Sequence, residues 1–126
     1  MATTSSFVQK RRTFEISVTL TYADTTSAKM FTLPAGTRLL HWLVNVKTVF
    51  VTGTTELDIG ISSDGDYYVD GCSLAAAGFV SPSTTVIHPG AELTAITDIY
   101  MNVGASNTTG EAMVTCVFSM EQDTRI

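Results

Sequence analysis

The feature that most limits the fold of this chain is a long apolar segment bounded by turn-forming residues. Residues 38–51 read RLLHWLVNVKTVFV, with apolar side chains on both faces of an extended chain, and they follow a Pro-Ala-Gly turn. A Thr-Gly-Thr turn then leads into residues 55–61, where apolar side chains alternate with acidic or small ones. Alternation with a period of two indicates a strand, and a strand that is apolar on both faces is covered on both. The segment therefore predicts a central hairpin of a β-sandwich.

The same alternation recurs along the chain and is clearest near its two ends. The expected strands are residues 12–22, 28–33, 38–51, 55–61, 84–88, 91–97, 98–104 and 111–121. Within residues 38–51, parity puts Leu40 on the same face as Trp42. Residues 62–83 are the least regular part and are expected to hold turns, with a short strand at 67–69 as one reading. About eight strands and almost no helix predict an all-β, antiparallel two-sheet β-sandwich.

A jelly-roll-like topology is the first choice for this sandwich. The alternative is an immunoglobulin-like sandwich, because Trp42 resembles the buried tryptophan of that family, although Cys72 and Cys116 do not flank it. The chain has 126 residues, which suits one domain. We expect a single domain over residues 12–126, preceded by an N-terminal arm over residues 1–11.

The surface of this domain is expected to be poor in charge. Charged residues make up 15% of the chain, whereas average soluble domains carry about 25%. Thr and Ser replace them, and Thr favours pleated, half-buried surfaces. Such a composition suits a protein whose faces are covered by partners, and outward Met113 and Val117 in the last strand favour the same interpretation.

Net charge excludes one class of partner. The chain carries a formal charge of −5 and has a pI of about 4.7, and nucleic-acid binding needs clustered Lys and Arg. The one basic cluster is Lys10-Arg11-Arg12, which is either a solvated start of a strand or a docking element on an acidic neighbour. No apolar run approaches the roughly 18 residues of a membrane span. No secretory leader is visible, so both cysteines are expected to be free thiols.

No arrangement of residues predicts catalysis, and no cofactor is expected. His41 and His88 lie in no catalytic motif and favour surface or interface positions. Asp58, Asp64, Asp66 and Asp70 fall close together and are weak candidates for calcium ligands. The alternative is a turn whose Asp side chains cap backbone amides, because no Glu closes the loop and no helices flank it.

An aromatic pair, Tyr67-Tyr68, follows the acidic turn, with Phe79 nearby in sequence. The pair is either a platform for stacking a sugar or an ordinary structural pair, with one ring in the core and the other on the surface or in a subunit contact.

Four short strings give the chain a family likeness. They are LPAGT at 33–37, GTT at 53–55, LDIG at 57–60 and DYYVDG at 66–71. With the hydrophobic strand between the first two, they resemble the small capsid-decoration, or cement, proteins of bacteriophages, over about residues 13–120. The resemblance implies a jelly-roll-like sandwich that binds the outside of an icosahedral head, often as a trimer at local three-fold positions. It also implies that the protein stabilises the shell against the pressure of the packaged DNA without a cofactor.

The sequence is therefore interpreted as a non-enzymatic virion structural protein, made in the bacterial cytoplasm and placed on the capsid surface. Its expected partners are the major capsid protein and further copies of itself, with a trimer favoured, and the basic cluster is the candidate docking element. The alternative is a head-fibre or tail-associated module that binds a host surface glycan through Tyr67, Tyr68 and the Asp64 loop.

Overall fold

A computed structural model describes residues 10–80 and 92–122. The predicted strand at 84–88 and residues 1–9 of the predicted arm lie outside the described residues. The strands are β1 (Lys10–Thr21), β2 (Ala28–Leu33), β3 (Arg38–Val51), β4 (Glu56–Ile61), β5 (Asp64–Ser73), β6 (Gly78–Val80), β7 (Thr97–Val103) and β8 (Thr109–Gln122). These eight strands, with no helix in the described ranges, confirm the all-β prediction.

The strands pair from the outside of the chain inwards. The first strand pairs with the last, β2 with β7, β3 with β6, and β4 with β5, always antiparallel. Contacts of β3 with β8 and of β4 with β7 complete two four-stranded sheets, ordered β1-β8-β3-β6 and β2-β7-β4-β5. This is the pairing of one long hairpin rolled into two sheets, and it confirms the antiparallel two-sheet β-sandwich. The immunoglobulin-like alternative is wrong, because that fold keeps its first two strands in one sheet.

The core lies between the two sheets and includes Trp42 of β3, which is 3% exposed. The ring centroid of Trp42 lies 6.0 Å from that of Tyr68 and 6.5 Å from that of Phe31. Both neighbours belong to the other sheet, so this one side chain joins the two layers. The largest fully buried side chains are Phe50, Leu20, Leu33, Leu57, Ile59, Leu74, Ile99, Met101, Val44, Val46, Val69 and Val103.

A bulge near the start of β3 changes which leucine faces the core. Leu39 pairs with Phe118, and His41 pairs with the adjacent residue Val117. Two residues of β3 are therefore matched by one residue of β8. The extra residue resets the alternation of the side chains. Leu39 is therefore buried at 4% exposure and Leu40 is only half-buried, which is the reverse of the parity prediction for this end of the strand.

Two other predictions fail in the middle of the chain. Residues 62–83 contain β5, a ten-residue strand, where mostly turns were expected. The pairing of β5 with β4 shifts register twice, and Gly71 of β5 has a positive φ of 73°. These irregularities interrupt the alternation of apolar side chains that indicates a regular strand. The predicted strand at 91–97 is also wrong, because β7 begins at Thr97 and Glu92 makes only an isolated bridge to Arg38.

A buried asparagine connects two turns at one end of the sandwich. Asn107 is 8% exposed, and its Nδ2 donates hydrogen bonds to the carbonyl oxygens of Thr54 (2.8 Å) and Gly104 (3.1 Å). Its Oδ1 accepts a hydrogen bond from the backbone N–H of Gly53 at 3.3 Å. The side chain therefore holds the β3–β4 turn against the β7–β8 loop.

Replacing Asn107 with Ala is expected to lower the free energy of unfolding by about 1–3 kcal/mol, because two backbone carbonyls lose their donors. Asn107→Asp, which keeps the shape but turns a carboxylate toward those carbonyls, is expected to destabilise at least as much. Urea denaturation of the two variants tests this. A fully stable Asn107→Asp variant would contradict the assigned donor role.

Candidate functional site

The outer face of the β1-β8-β3-β6 sheet carries apolar side chains that nothing in the described residues covers. Phe79 of β6 is 79% exposed. Phe79 and Met113 flank Asn45 from opposite sides, since both residues pair with it across the sheet. Leu43 is the next residue of β3 on the same face, and it is half-buried like Met113. We call Leu43, Phe79 and Met113 the outer patch.

The two rows of paired residues that cross the sheet at the outer patch contain no charged side chain. One row runs from Phe79 through Asn45 and Met113 to Thr19, and the next runs from Leu43 through Thr115 to Ser17. The hydroxyl oxygens of Ser17 and Thr115 lie 2.8 Å apart and satisfy each other. Uncharged, partly apolar surface of this kind is typical of the centre of a protein–protein interface.

Of Met113 and Val117, which the sequence predicts to point outward, the structure leaves one partly accessible. Met113 belongs to the outer patch, but Val117 is only 9% exposed among its neighbours on the sheet. Phe79 was placed near the tyrosine pair on the basis of sequence proximity, yet it lies on the other sheet. The sequence signal for Phe79 was only its aromatic character in a short edge segment.

The residues of the predicted basic docking element have different surroundings in the structure. Arg11 has a side chain that is 13% exposed and pairs with Glu92 at 3.6 Å. Its Nε donates to the Ser119 hydroxyl (2.9 Å), and its Nη2 donates to the carbonyl oxygens of Gly36 and Ser119 (3.0 Å each). Arg12 is exposed, and Lys10 begins β1. Arg11 therefore joins β1 to β8 and to the β2–β3 turn.

The four candidate calcium ligands, which we call the acidic group, lie on the β4–β5 hairpin; they are Asp58, Asp64, Asp66 and Asp70. Asp64 and Asp66 belong to β5 itself, and the turn of the hairpin is Ser62-Ser63. Asp58 of β4 accepts a hydrogen bond from the backbone N–H of Gly71 at 2.9 Å. In residues 10–80 and 92–122, no group of three or more His, Cys, Asp or Glu side chains is arranged to hold a metal ion.

The neighbouring carboxylates affect the pKa of Asp66. Its pKa is raised above 3.8, first by a side-chain hydrogen bond with Asp64, then by desolvation and by the charges of Asp64, Asp70 and Asp58. A carboxyl whose pKa is raised by folding destabilises the protein when it is ionised, and this cost disappears as the pH falls through the raised pKa.

Asp66→Asn is therefore expected to give a small rise in Tm at pH 7, where the native side chain is ionised. The rise should vanish below the unfolded pKa of about 3.8, where the native side chain is protonated in both states. Asp98→Asn is the matched control and should not raise Tm, because Asp98 Oδ1 accepts a 2.6 Å hydrogen bond from the Thr32 hydroxyl and the neutral amide oxygen of Asn is a weaker acceptor. Calorimetry across pH measures both, and a pH-independent effect of Asp66→Asn would contradict the prediction.

The tyrosine pair divides between core and surface. Tyr68 is 3% exposed, and burial raises its pKa to about 12. Tyr67 is half-buried and makes an edge-on contact with Tyr68, with ring centroids 5.1 Å apart. Both line a cleft of about 310 Å³ together with Ile61, Glu92, Leu93, Thr94, Ala95 and Thr97. Asp64 is not part of this lining.

The cysteines are buried and unpaired, as predicted. Burial raises the pKa of Cys116 to about 12 and also raises that of Cys72, so both are neutral thiols at pH 7. His41 is exposed on β3, and His88 lies outside the described residues. Within residues 10–80 and 92–122, no helix is long and apolar enough to cross a membrane.

Comparison with known proteins gives matches at the level of structure. No family model matches the sequence, and no curated protein matches it. A chain of the capsid of Helicobacter pylori bacteriophage KHP30, in an acidic stable capsid structure, superposes with a TM-score of 0.65 at 10% identity, over 93% of this chain and 100% of that one. A chain of the cyanophage Pam1 capsid asymmetric unit superposes with a TM-score of 0.57 at 17% identity, over 95% of this chain and 91% of that one. The fold of this protein is thus the fold of chains found in two phage capsids.

Proposed function

We propose that this protein is a non-enzymatic structural component of a phage virion and that it acts as a capsid decoration, or cement, protein. The observation that carries the proposal is the match to whole chains of two phage capsid structures, in which this chain and its counterparts align over nine-tenths or more of their lengths.

The outer patch supports the same proposal from the chemistry of the surface. A chain with a formal charge of −5 repels other acidic proteins unless it meets them through uncharged surface. The outer patch supplies such surface on one sheet, whereas the acidic group lies on the other sheet. We assign the outer patch to contact with the capsid shell, since the counterparts of this chain reside in capsids.

We further propose that the protein binds as a trimer. Closed cyclic assemblies bury apolar surface without leaving a free end, and a trimer matches the three-fold positions that an icosahedral shell offers. The exposed Arg12 on β1 remains our candidate for an additional polar contact in this assembly. Light scattering of the purified protein measures the number of copies directly.

The copy number of this chain in purified virions tests the proposal. Quantitative mass spectrometry is expected to give a number of copies of this chain that equals the number of copies of the major capsid protein or is a simple fraction of it. A few copies per particle would instead indicate a tail or fibre component, and absence from the particle would remove the virion assignment.

Reconstitution gives the complementary test. Capsids that lack this protein are expected to regain heat resistance when the purified full chain is added, and the gain should saturate at the copy number found in virions. Tight binding with no gain in heat resistance would contradict a cement role while leaving attachment intact.

A further inference from the structure

A cleft between the β4–β5 hairpin and the segment before β7 has the features of a ligand site that is distinct from the outer patch. Its volume of about 310 Å³ lies at the lower end of the range for small-ligand pockets, ~300–1,000 Å³. The lining combines two tyrosine rings and three aliphatic side chains with one carboxylate and two threonine hydroxyls. Aromatic walls with a few polar groups are what such sites commonly offer.

One wall of the cleft is held in place by backbone pairing. The carbonyl oxygen of Leu93 accepts a hydrogen bond from the N–H of Gly36 (2.8 Å), and the N–H of Leu93 donates to the carbonyl oxygen of Thr37 (2.7 Å). The adjacent Glu92 pairs with Arg11, whose other nitrogens are already bound to Ser119 and Gly36. The carboxylate is thus positioned at the cleft before any ligand arrives, while its side chain stays 47% exposed.

The polar atoms of the lining select for hydrogen-bond donors. The Thr97 hydroxyl donates its hydrogen to the carbonyl oxygen of Ala95 at 2.9 Å, which leaves its oxygen as an acceptor. Glu92 contributes a carboxylate, which only accepts. No cationic side chain is part of the lining, so an anion finds no oppositely charged partner there. The complementary ligand is neutral, carries several hydroxyl donors and has an apolar face to set against Tyr67.

We propose that this cleft binds a neutral saccharide through a single pyranose ring. The C–H face of the ring packs on Tyr67, while hydroxyl groups donate to Glu92 and to the Thr97 oxygen. Tyr68 supports the ring of Tyr67 from the core side, and Arg11 positions Glu92 without touching the ligand. Because the outer patch lies on the other sheet, attachment to a shell leaves this cleft open, and the proposal does not depend on the decoration role.

Two-dimensional NMR of the labelled full chain tests the proposal, with the methyl glycosides of glucose, galactose and mannose and with N-acetylglucosamine as probes. At least one of these is expected to bind with a Kd of about 1–10 mM, the affinity that a ligand of this size reaches at ordinary ligand efficiency. The amide signals of Tyr67, Leu93 and Thr94 should move. Tyr67→Ala and Glu92→Gln should each weaken binding about tenfold, the first by loss of stacking and the second by loss of a charged acceptor.

The controls separate a local effect from a loss of fold. Tyr22→Ala removes a 44% exposed tyrosine that is not part of the lining, and it should leave binding unchanged. Tyr67→Phe keeps the ring and should keep most of the affinity. The proposal is overturned if no probe shifts these signals at a tenfold excess over the expected Kd, or if the shifts cluster elsewhere. It is also overturned if lysine amide binds the cleft and the saccharides do not, since the natural occupant would then be a basic protein side chain.

Discussion

Trp42→Ala is expected to lower the free energy of unfolding by about 3–5 kcal/mol, the usual cost of truncating a buried tryptophan. The indole is 3% exposed and lies between Tyr68 and Phe31 of the opposite sheet, so its removal leaves a cavity at the join of the two layers. Domains of this kind are stable by only about 5–15 kcal/mol. The substitution therefore removes a large share of the total stability, and Tm should fall by roughly 10–20 °C.

Calorimetry or far-UV circular dichroism is the suitable measurement, because the variant lacks the only tryptophan of the chain. Trp42→Phe should cost less, since it retains part of the buried ring. Tyr22→Ala removes an aromatic ring that is 44% exposed and should change stability by less than about 0.5 kcal/mol. A loss below about 1 kcal/mol for Trp42→Ala would contradict the central position of the indole.

Phe79→Asp combined with Met113→Asp is expected to weaken binding to capsids that lack this protein by at least about thirtyfold. A single hot-spot residue at the centre of an interface contributes about 2 kcal/mol or more, and since about 1.4 kcal/mol corresponds to a factor of ten, one such residue already accounts for about thirtyfold. The double variant should fold normally, because Phe79 is 79% exposed and Met113 lies on the outer face of its sheet. Co-sedimentation with capsids at increasing protein concentration measures the change, and circular dichroism verifies the fold.

Ile96→Asp is the matched control for the outer patch. Ile96 is 74% exposed, so its substitution adds one negative charge at an apolar position about as accessible as Phe79, but it precedes β7 of the other sheet. Its binding to capsids should match that of the unaltered chain. If the double variant binds normally, the outer patch is not the contact with the shell. If it loses only its oligomeric state by light scattering, the outer patch instead joins copies of this chain.

Much of the secondary structure could be predicted from local patterns. β1 and β8 alternate regularly, so side-chain period alone located them within a few residues. The same reasoning failed for β5, where two register shifts with β4 break the alternation. It also assigned the wrong leucine to the core near the start of β3, because the bulge there is set by pairing with β8 and leaves no trace in the composition of the strand.

The candidate sites were less accessible to sequence analysis. Tyr67 and Tyr68 were recognised as a pair, but their neighbours Glu92, Thr94 and Thr97 come from a segment that carries no motif. Phe79 and Met113 come close only because β6 and β8 both pair with β3. Residues far apart in the chain share a surface through strand order, and no local spacing encodes strand order.

The sequence by itself determined that this chain is a sandwich of antiparallel strands with a sparsely charged surface, because side-chain alternation and composition are local properties of each strand. Only the tertiary structure decided that strands pair from the outside of the chain inwards. It also decided that Arg11 binds Ser119, 108 residues away. Such contacts depend on which distant backbone and side-chain partners packing brings within hydrogen-bond distance, and that information resides in the assembled sheets.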